Sequence, residues 1–424
     1  MNERGQVQIV VVLLFVVLIA GVGLWLTVAT HSEAEQALEQ AVEAARQQGA
    51  PVELAEPATI QVSAVSVLPP SFNPSLDQSA TVRFELSHAA DVTVAMYGPN
   101  NERVATLIDG ARLEAGKHMA DWDGRDSAGQ PVPDEAWYVR IDANNGSGWG
   151  RWDPLTHSGG DRLHPTAIEI SRMGDTISYV VPKAARVLVR AGIEDGPSLN
   201  TVLNWRPRAA GQCVEIWKGF DQQGARYFRA PDLAAVVSVQ CYGLPESSII
   251  STGNRAADYF DWYMASGASL PVKEEVERLS VLDGTTSRHW GLPPHLDKDP
   301  TVTMAFPQLD LGDSQPGVAI ELDGDNVLVR IDVPGDAARE FISNQRFELV
   351  TFLDDVRIGE DEMAHLPYNW SWNLADVPDG EHWLTVNLVT FQQHVGIATQ
   401  RVNIQRGDSP AASDDAGDDQ GDEK

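Results

Sequence analysis

Cysteine is almost missing from this chain: Cys213 and Cys241 are the two present in 424 residues. Two thiols cannot build a Cys-rich zinc module, an iron–sulfur cage or the C-x-x-C-H attachment of a c-type haem. Basic residues are also scarce, Lys and Arg numbering 31 against 61 Asp and Glu, for a formal charge of -30. That balance excludes a phosphate-tracking surface, because nucleic-acid binding rests on clustered Lys and Arg. The motifs of catalysis are absent too. There is no G-x-S-x-G elbow, P-loop, H-E-x-x-H pair or dinucleotide fingerprint, and Gly21-Val-Gly23 lies inside an apolar run. Carboxylate pairs are plentiful but sit in turn-like contexts, and sequence leaves open whether any two converge in a cleft as in a glycosidase. The expectation is a protein with no cofactor, no metal and no enzymatic activity.

What is present is apolar material, 43% of the residues, enough for roughly two to four domains. A wholly disordered chain is excluded. The acidity, with 35 glycines and 25 prolines, suits a turn-rich extracytoplasmic protein, although a halophilic or acidic cytosolic one has the same composition.

From Val7 to Ala29 no charged residue occurs, a run long enough to span a bilayer. A cleaved signal peptide has a shorter apolar core, about 7–15 residues. Thr27-Val28-Ala29 offers a cleavage site, but this core is too long, so residues 1–29 are predicted as a cytoplasmic stub and an uncleaved transmembrane helix in contact with lipid. Arg4 is the one basic residue before the run and none follows until Arg46. The positive-inside bias therefore leaves the N-terminus in the cytoplasm and the bulk outside, in the periplasm or at the cell surface. Residues 30–50 read as a helical stalk, with Ala34, Leu38, Ala41 and Ala45 recurring on one face. Self-association through this N-terminal helix and a monomeric stalk are both open. Met1-Asn-Glu-Arg-Gly5 followed by a long apolar helix is similar to the start of a type IV pilin-like subunit, which implies processing after Gly5 and filament assembly. Val10 stands where that family usually has Glu.

Self-comparison shows a duplication. Thr81-Val-Arg-Phe-Glu-Leu86 matches Thr176-Ile-Ser-Tyr-Val-Val181, and the same offset of 95 (176 − 81) carries Ala115-Gly116, Trp122, Gly124, Asp126 and Gly129 onto Ala210-Gly211, Trp217, Gly219, Asp221 and Gly224. Within each copy apolar residues alternate, as in Val82/Phe84/Leu86 and Ile177/Tyr179/Val181. Period two means strands with one buried face, and short Gly/Pro/Asn/Asp spacers predict antiparallel β-sandwiches.

In the first copy Glu114-Ala-Gly116-Lys-His118 leads to Trp122-Asp-Gly124-Arg-Asp126-Ser-Ala-Gly129-Gln-Pro131-Val-Pro133 and Trp137-Tyr-Val-Arg-Ile141. From Phe72 to Ala143 this resembles the immunoglobulin-like domain of the flagellar hook-capping protein, a module that recurs in many bacterial secreted and surface proteins. The resemblance implies an Ig-like fold and not hook capping itself. The second copy is a diverged relative, with Lys218 and Arg226 in place of the first Asp and the proline. The motif is expected to be a structural hairpin: an aromatic seals the sandwich edge, Asp side chains cap amides, and glycines supply positive φ. A calcium site at Asp123 and Asp126 is the alternative. Cys213 corresponds to His118 and Cys241 follows the last strand of the second copy. These strands flank the hairpin, and a disulfide between them is expected in an oxidising location, with a pair of buried free thiols as the alternative.

The predicted domains are Ig-like domain 1 at 58–145, Ig-like domain 2 at 160–248, a linker with an aromatic cluster at 249–300, and Ig-like domain 3 at 301–406. A disordered acidic tail follows at 407–424. In the linker Tyr259 to Met264 is aromatic and Val272 to Leu279 suits a short helix; His157, His164, His289 and His295 lack ligand spacing. In domain 3, Val318/Ile320/Leu322 and Val327/Val329/Ile331 flank a predicted hairpin turn at Asp323-Gly-Asp-Asn326, and Asp379-Gly-Glu-His382-Trp-Leu-Thr-Val386 resembles a generic bacterial Ig-like or fibronectin-like domain. Mainly β, with tandem antiparallel Ig-like sandwiches on an N-terminal membrane helix, the chain is expected to be a structural, adhesive or scaffold protein of the cell envelope. Its expected partner is a protein or a polysaccharide. In an alternative carbohydrate-binding role Trp137, Trp149, Trp152, Trp290, Trp370 and Trp372 supply the stacking faces.

Overall fold

The computed structural model describes residues 59–171, 175–229, 233–255, 257, 259–265, 299–309, 317–391 and 394–405. The predicted transmembrane helix, stalk, Val272–Leu279 helix and acidic tail lie outside the described residues. Among the described residues no helix is long and apolar enough to cross a membrane. The chain divides after Ala58, and everything described belongs to the unit that begins at Thr59.

The protein is mainly β and its sheets are mostly antiparallel. The first sandwich uses β1 (Val62–Leu68), β2 (Ser71–Phe72), β3 (Ala80–Leu86), β4 (Ala90–Tyr97), β5 (Arg103–Leu113), β6 (Gly116–Trp122), β7 (Ala136–Asn144) and β8 (Trp149–Trp152). One sheet runs β1-β3-β6; the other contains β7-β4-β5, with β8 beside β7. Alternation sets the facing: Ala80, Val82, Phe84 and Leu86 of β3 are buried while the residues between them are not. In the register, Val82 lies opposite Ala120, and across the facing sheet Val94 lies opposite Ile141.

The same layout recurs in β9 (Arg162–Leu163), β10 (Thr166–Ile170), β11 (Thr176–Val181), β12 (Ala185–Ile193), β13 (Ser198–Arg208), β14 (Gly211–Ile216) and β15 (Ala235–Gly243). Here the sheets are β10-β11-β14 and β13-β12-β15-β9. The chain then departs from the expected linker. Residues Ile249–Ser251 form β16, which lies parallel to β2 and antiparallel to β7, back in the first sandwich. Helix α1 (Tyr259–Ala265) follows, and its Tyr259 and Tyr263 join the first core. A strand of three residues is too short to show a period, and its partners are more than a hundred residues upstream, so local pattern could not announce it.

The third sandwich contains β17 (Thr303–Ala305), β18 (Ile320–Leu322), β19 (Asn326–Asp332), helix α2 (Asp336–Ser343), β20 (Phe347–Leu353), β21 (Val356–Asp361), β22 (Tyr368–Asn373), β23 (Gly380–Thr390) and β24 (Val395–Ile404). Its sheets are β17-β19-β22 and β18-β24-β23-β20-β21. The hairpin predicted at 323–326 is not formed. β18 pairs in parallel with β24, and β19 belongs to the opposite sheet. Asp323–Asp325 therefore crosses between layers, because alternation tells which face is buried and not which strand lies alongside.

Glycine is required where Gly124 turns. Its φ is +75°, and a Cβ there would stand 2.3 Å from Pro74 Cγ and 3.0 Å from Phe72 Cε2. Gly129 has nearly the same φ, +76°, but opens onto empty space. Gly129→Ala is expected to cost about 1–2 kcal/mol, the penalty of the left-handed backbone alone. Gly124→Ala is expected to cost clearly more, read as the difference in urea midpoint.

Candidate functional site

The eight residues predicted as hairpin motifs assemble into two equivalent turns. Trp122 is buried and its indole N–H donates to the Arg125 carbonyl at 2.9 Å; Trp217 does the same to the Phe220 carbonyl at 3.0 Å. Asp126 Oδ1 accepts from the amides of Ala128 and Gln130, and Asp221 Oδ1 accepts from Ala225. Ser127 N donates to Val104 O, and Gln222 N to Leu199 O, again at an offset of 95 (222 − 127 and 199 − 104). Gly124, Gly129, Gly219 and Gly224 all have positive φ. The carboxylates act as amide acceptors in the turn, the capping role. Burial pushes the Asp221 carboxyl above its ordinary value against the pull of those amides. Among the described residues no group of three or more His, Cys, Asp or Glu side chains gathers as a metal set would.

Cys213 and Cys241 require a correction. Both are buried free thiols, and the expected disulfide is not formed. β14 and β15 belong to opposite sheets, where Cys213 lies across from Tyr179 and Cys241 across from Val187. The two side chains pack into the same core between the layers. Burial raises both thiols, Cys241 to about 11. Cys213 Sγ approaches the Ala209 carbonyl four residues back, as His118 Nε2 approaches Glu114 O.

The densest polar chemistry lies where the sandwiches meet, which sequence reasoning missed. Glu135, at the foot of β7, and Arg186, on β12, are both fully buried, with Nη2 donating to Oε1 at 2.7 Å and Nη1 to Oε2 at 3.3 Å. Arg186 also donates to the Trp205 carbonyl. Ser251, delivered by β16, accepts from the Trp137 indole N–H at 2.8 Å and donates to Pro133 O at 2.6 Å. Leu188 and Trp205 of the second sandwich complete the core of the first.

At the next junction Arg226 donates twice to Asp355, at 2.7 and 2.6 Å. Asn387 accepts from Ser198 N and donates to Ser198 O. Asp299 accepts from Thr201 Oγ1 at 2.6 Å, from Arg190 and from Val395 N. The three sandwiches are therefore docked by interior contacts.

Of the tryptophans expected as sugar-stacking faces, Trp137 and Trp372 are buried in the cores and cannot serve, Trp152 and Trp370 are half-buried, and Trp149 is exposed. Trp290, with His289 and His295, lies outside the described residues.

A carboxyl and a phenol meet over α1. Tyr259 Oη donates to Glu102 Oε1 at 2.6 Å, and Asn100 N donates to Oε2. Burial pushes Glu102 up to about 7, against those two hydrogen bonds.

Residues 71–147 match the FlgD Ig-like domain family. No curated protein matches the chain. Among solved structures, a lytic polysaccharide monooxygenase from Jonesia denitrificans aligns with 22% of this chain and 63% of its own, at 15% identity and TM-score 0.17. An endo-β-1,4-mannanase from Thermotoga petrophila aligns over 44% and 30%, at 14% identity and TM-score 0.19. The chain thus spans less than two thirds of either. A tetra-tandem repeat from the extending region of a large adhesion protein aligns over 82% and 74%, at 12% identity and TM-score 0.16.

Two expectations follow. Glu135→Ala strands the Arg186 guanidinium in a dry junction and should destabilise by about 3–5 kcal/mol in chemical denaturation, whereas replacing both partners by apolar residues should recover much of that loss. The raised carboxyl of Glu102 makes its contribution complete below about pH 4.5 and removes it as the pH rises through about 7. Amide exchange over residues 259–265 should therefore be slower at pH 5 than at pH 8 once corrected for intrinsic rates, and Glu102→Gln should flatten that difference.

Proposed function

We propose that this chain is a non-enzymatic, single-pass membrane protein that holds three Ig-like sandwiches outside the cytoplasm as a structural, adhesive or scaffold component of the cell envelope. The observation that carries the reading is the pair of sandwich junctions. Flexible tandem domains meet through small polar surfaces, whereas here Glu135–Arg186 is taken out of water and paired and Arg226–Asp355 is paired and largely buried. Such an array keeps its parts in fixed relation, as a spacer or display scaffold requires. The shared turn geometry at offset 95 supports reading the second sandwich as a diverged copy of the first module. The uncharged run from Val7 to Ala29, with Arg4 before it, supports the anchor and the outward orientation.

The test is fractionation of the native host. A full-length chain in the alkaline-washed membrane fraction, cut by protease added from outside, is the expected result. Recovery in the soluble fraction overturns the anchor, and a mature N-terminus at Gln6 establishes the filament reading instead.

A further inference from the structure

Each three-stranded sheet has two edge strands, and in the three sandwiches one of them is β6, β14 and β22 respectively. An edge strand presents unpaired backbone N–H and C=O groups, and folded proteins guard it with charged or polar side chains. The outward residues of β6 are Lys117, Met119 and Asp121, and those of β22 are Asn369, Ser371 and Asn373. Those of β14 are Gln212, Val214 and Ile216. At the same offset of 95 (212 − 117), both charges that guard β6 are gone. Val214 is 55% and Ile216 77% exposed. The apolar strip continues past the strand end into Phe220 and Tyr227, 39% and 46% exposed, which bridge the turn where the first sandwich has Arg125 and Pro131. An open cavity of about 440 Å³ adjoins them, lined by Ile216, Lys218, Phe220 and Thr201 among others.

We propose that β14 is a self-association edge: it pairs antiparallel with β14 of a second copy of this chain, about a two-fold axis at Val214. Trp217 N donates to Asp175 O toward β11, so in this register the amides of Gln212, Val214 and Ile216 face the open side. Alternating main-chain donors and acceptors at that edge select an extended polypeptide. The symmetric pairing sets Val214 against Val214 and Gln212 against Ile216, with no like charges opposed, as an isologous contact needs. Charge points to the same place. Two copies with a formal charge of -30 each repel one another as wholes, but the carboxylate of β14, Glu215, is turned inward and held by Arg208 and Tyr179. Lys218, at the end of the strip, brings a cation to the acidic partner. The apolar strip comprises four side chains that are 39–77% exposed, a small contact at the low end of specific interfaces. The dimer is therefore weak and reversible in solution. This inference does not depend on where the protein resides.

The experiment is oxidative cross-linking of full-length Val214→Cys in detergent, with Met119→Cys, at the equivalent position of β6, and the unmodified chain as controls. Hydrogen-bonded antiparallel neighbours stand about 5.5 Å apart at Cα, within disulfide reach. The expected result is a covalent dimer formed roughly tenfold faster in Val214→Cys than in Met119→Cys, and lost when Ile216→Asp is added. Association through the N-terminal helix alone raises both cysteine variants equally, and that outcome overturns the proposal. A Val214→Cys adduct with a protein of different mass, without the dimer, also overturns it and assigns the edge to a partner's strand.

Discussion

The arrangement of this protein depends on one buried ion pair, Glu135 with Arg186. Neither side chain reaches water, so each is stable only while the other is in place, and the attraction that offsets their desolvation is sharply dependent on geometry. Both carboxylate oxygens and both terminal guanidinium nitrogens are used, and the Trp205 carbonyl accepts a further bond. The pair is possible because β16 comes back to β7 and brings Ser251 beside it. Two sandwiches that would otherwise be successive beads share a core, with Leu188 and Trp205 lodged among the residues of the first.

Comparison of the two equivalent turns shows how one fold is given different contacts. The hydrogen bonds that shape the turn are retained, from the Trp indole to a carbonyl and from the Asp carboxylate to its amides. The outward residues are exchanged. Arg226, whose carbonyl accepts from the Asp221 amide as that of Gln130 accepts from Asp126, reaches out to Asp355 and fastens the third sandwich. Phe220 and Tyr227 replace Arg125 and Pro131 as the bridging pair, and Cys213 replaces His118 inside. The backbone frame needs few residues to specify it, which leaves its surface free to diverge toward neighbours.

Among the described residues, carboxylates stand in contrasting environments. Those in turns, such as Asp126, are spent on backbone amides. Those at junctions, such as Asp299 and Asp355, hold arginines of another sandwich. Glu102 is different, a carboxyl kept near neutrality by burial under α1 and met there by a phenol. Its titration makes the docking of that helix sensitive to pH near 7.

Period-two alternation determined the strands and their buried faces without any tertiary information, as in Val82/Phe84/Leu86 and Ile177/Tyr179/Val181, because a strand's side chains alternate whatever it pairs with. The turns were equally legible, since positive φ at Gly124 and Gly219 and carboxylate capping by Asp126 and Asp221 are local requirements. Pairing was not. β18 resembles half of a hairpin and joins β24 in parallel, β16 looks like linker and completes the first sandwich, and Cys213 and Cys241 lie on opposite layers as free thiols. Glu135 and Arg186 are 51 residues apart, and each alone reads as an ordinary surface charge. Only the tertiary structure decides such matters, because local sequence constrains a segment's conformation and facing, while its partners follow from which surfaces the whole chain brings together and removes from water.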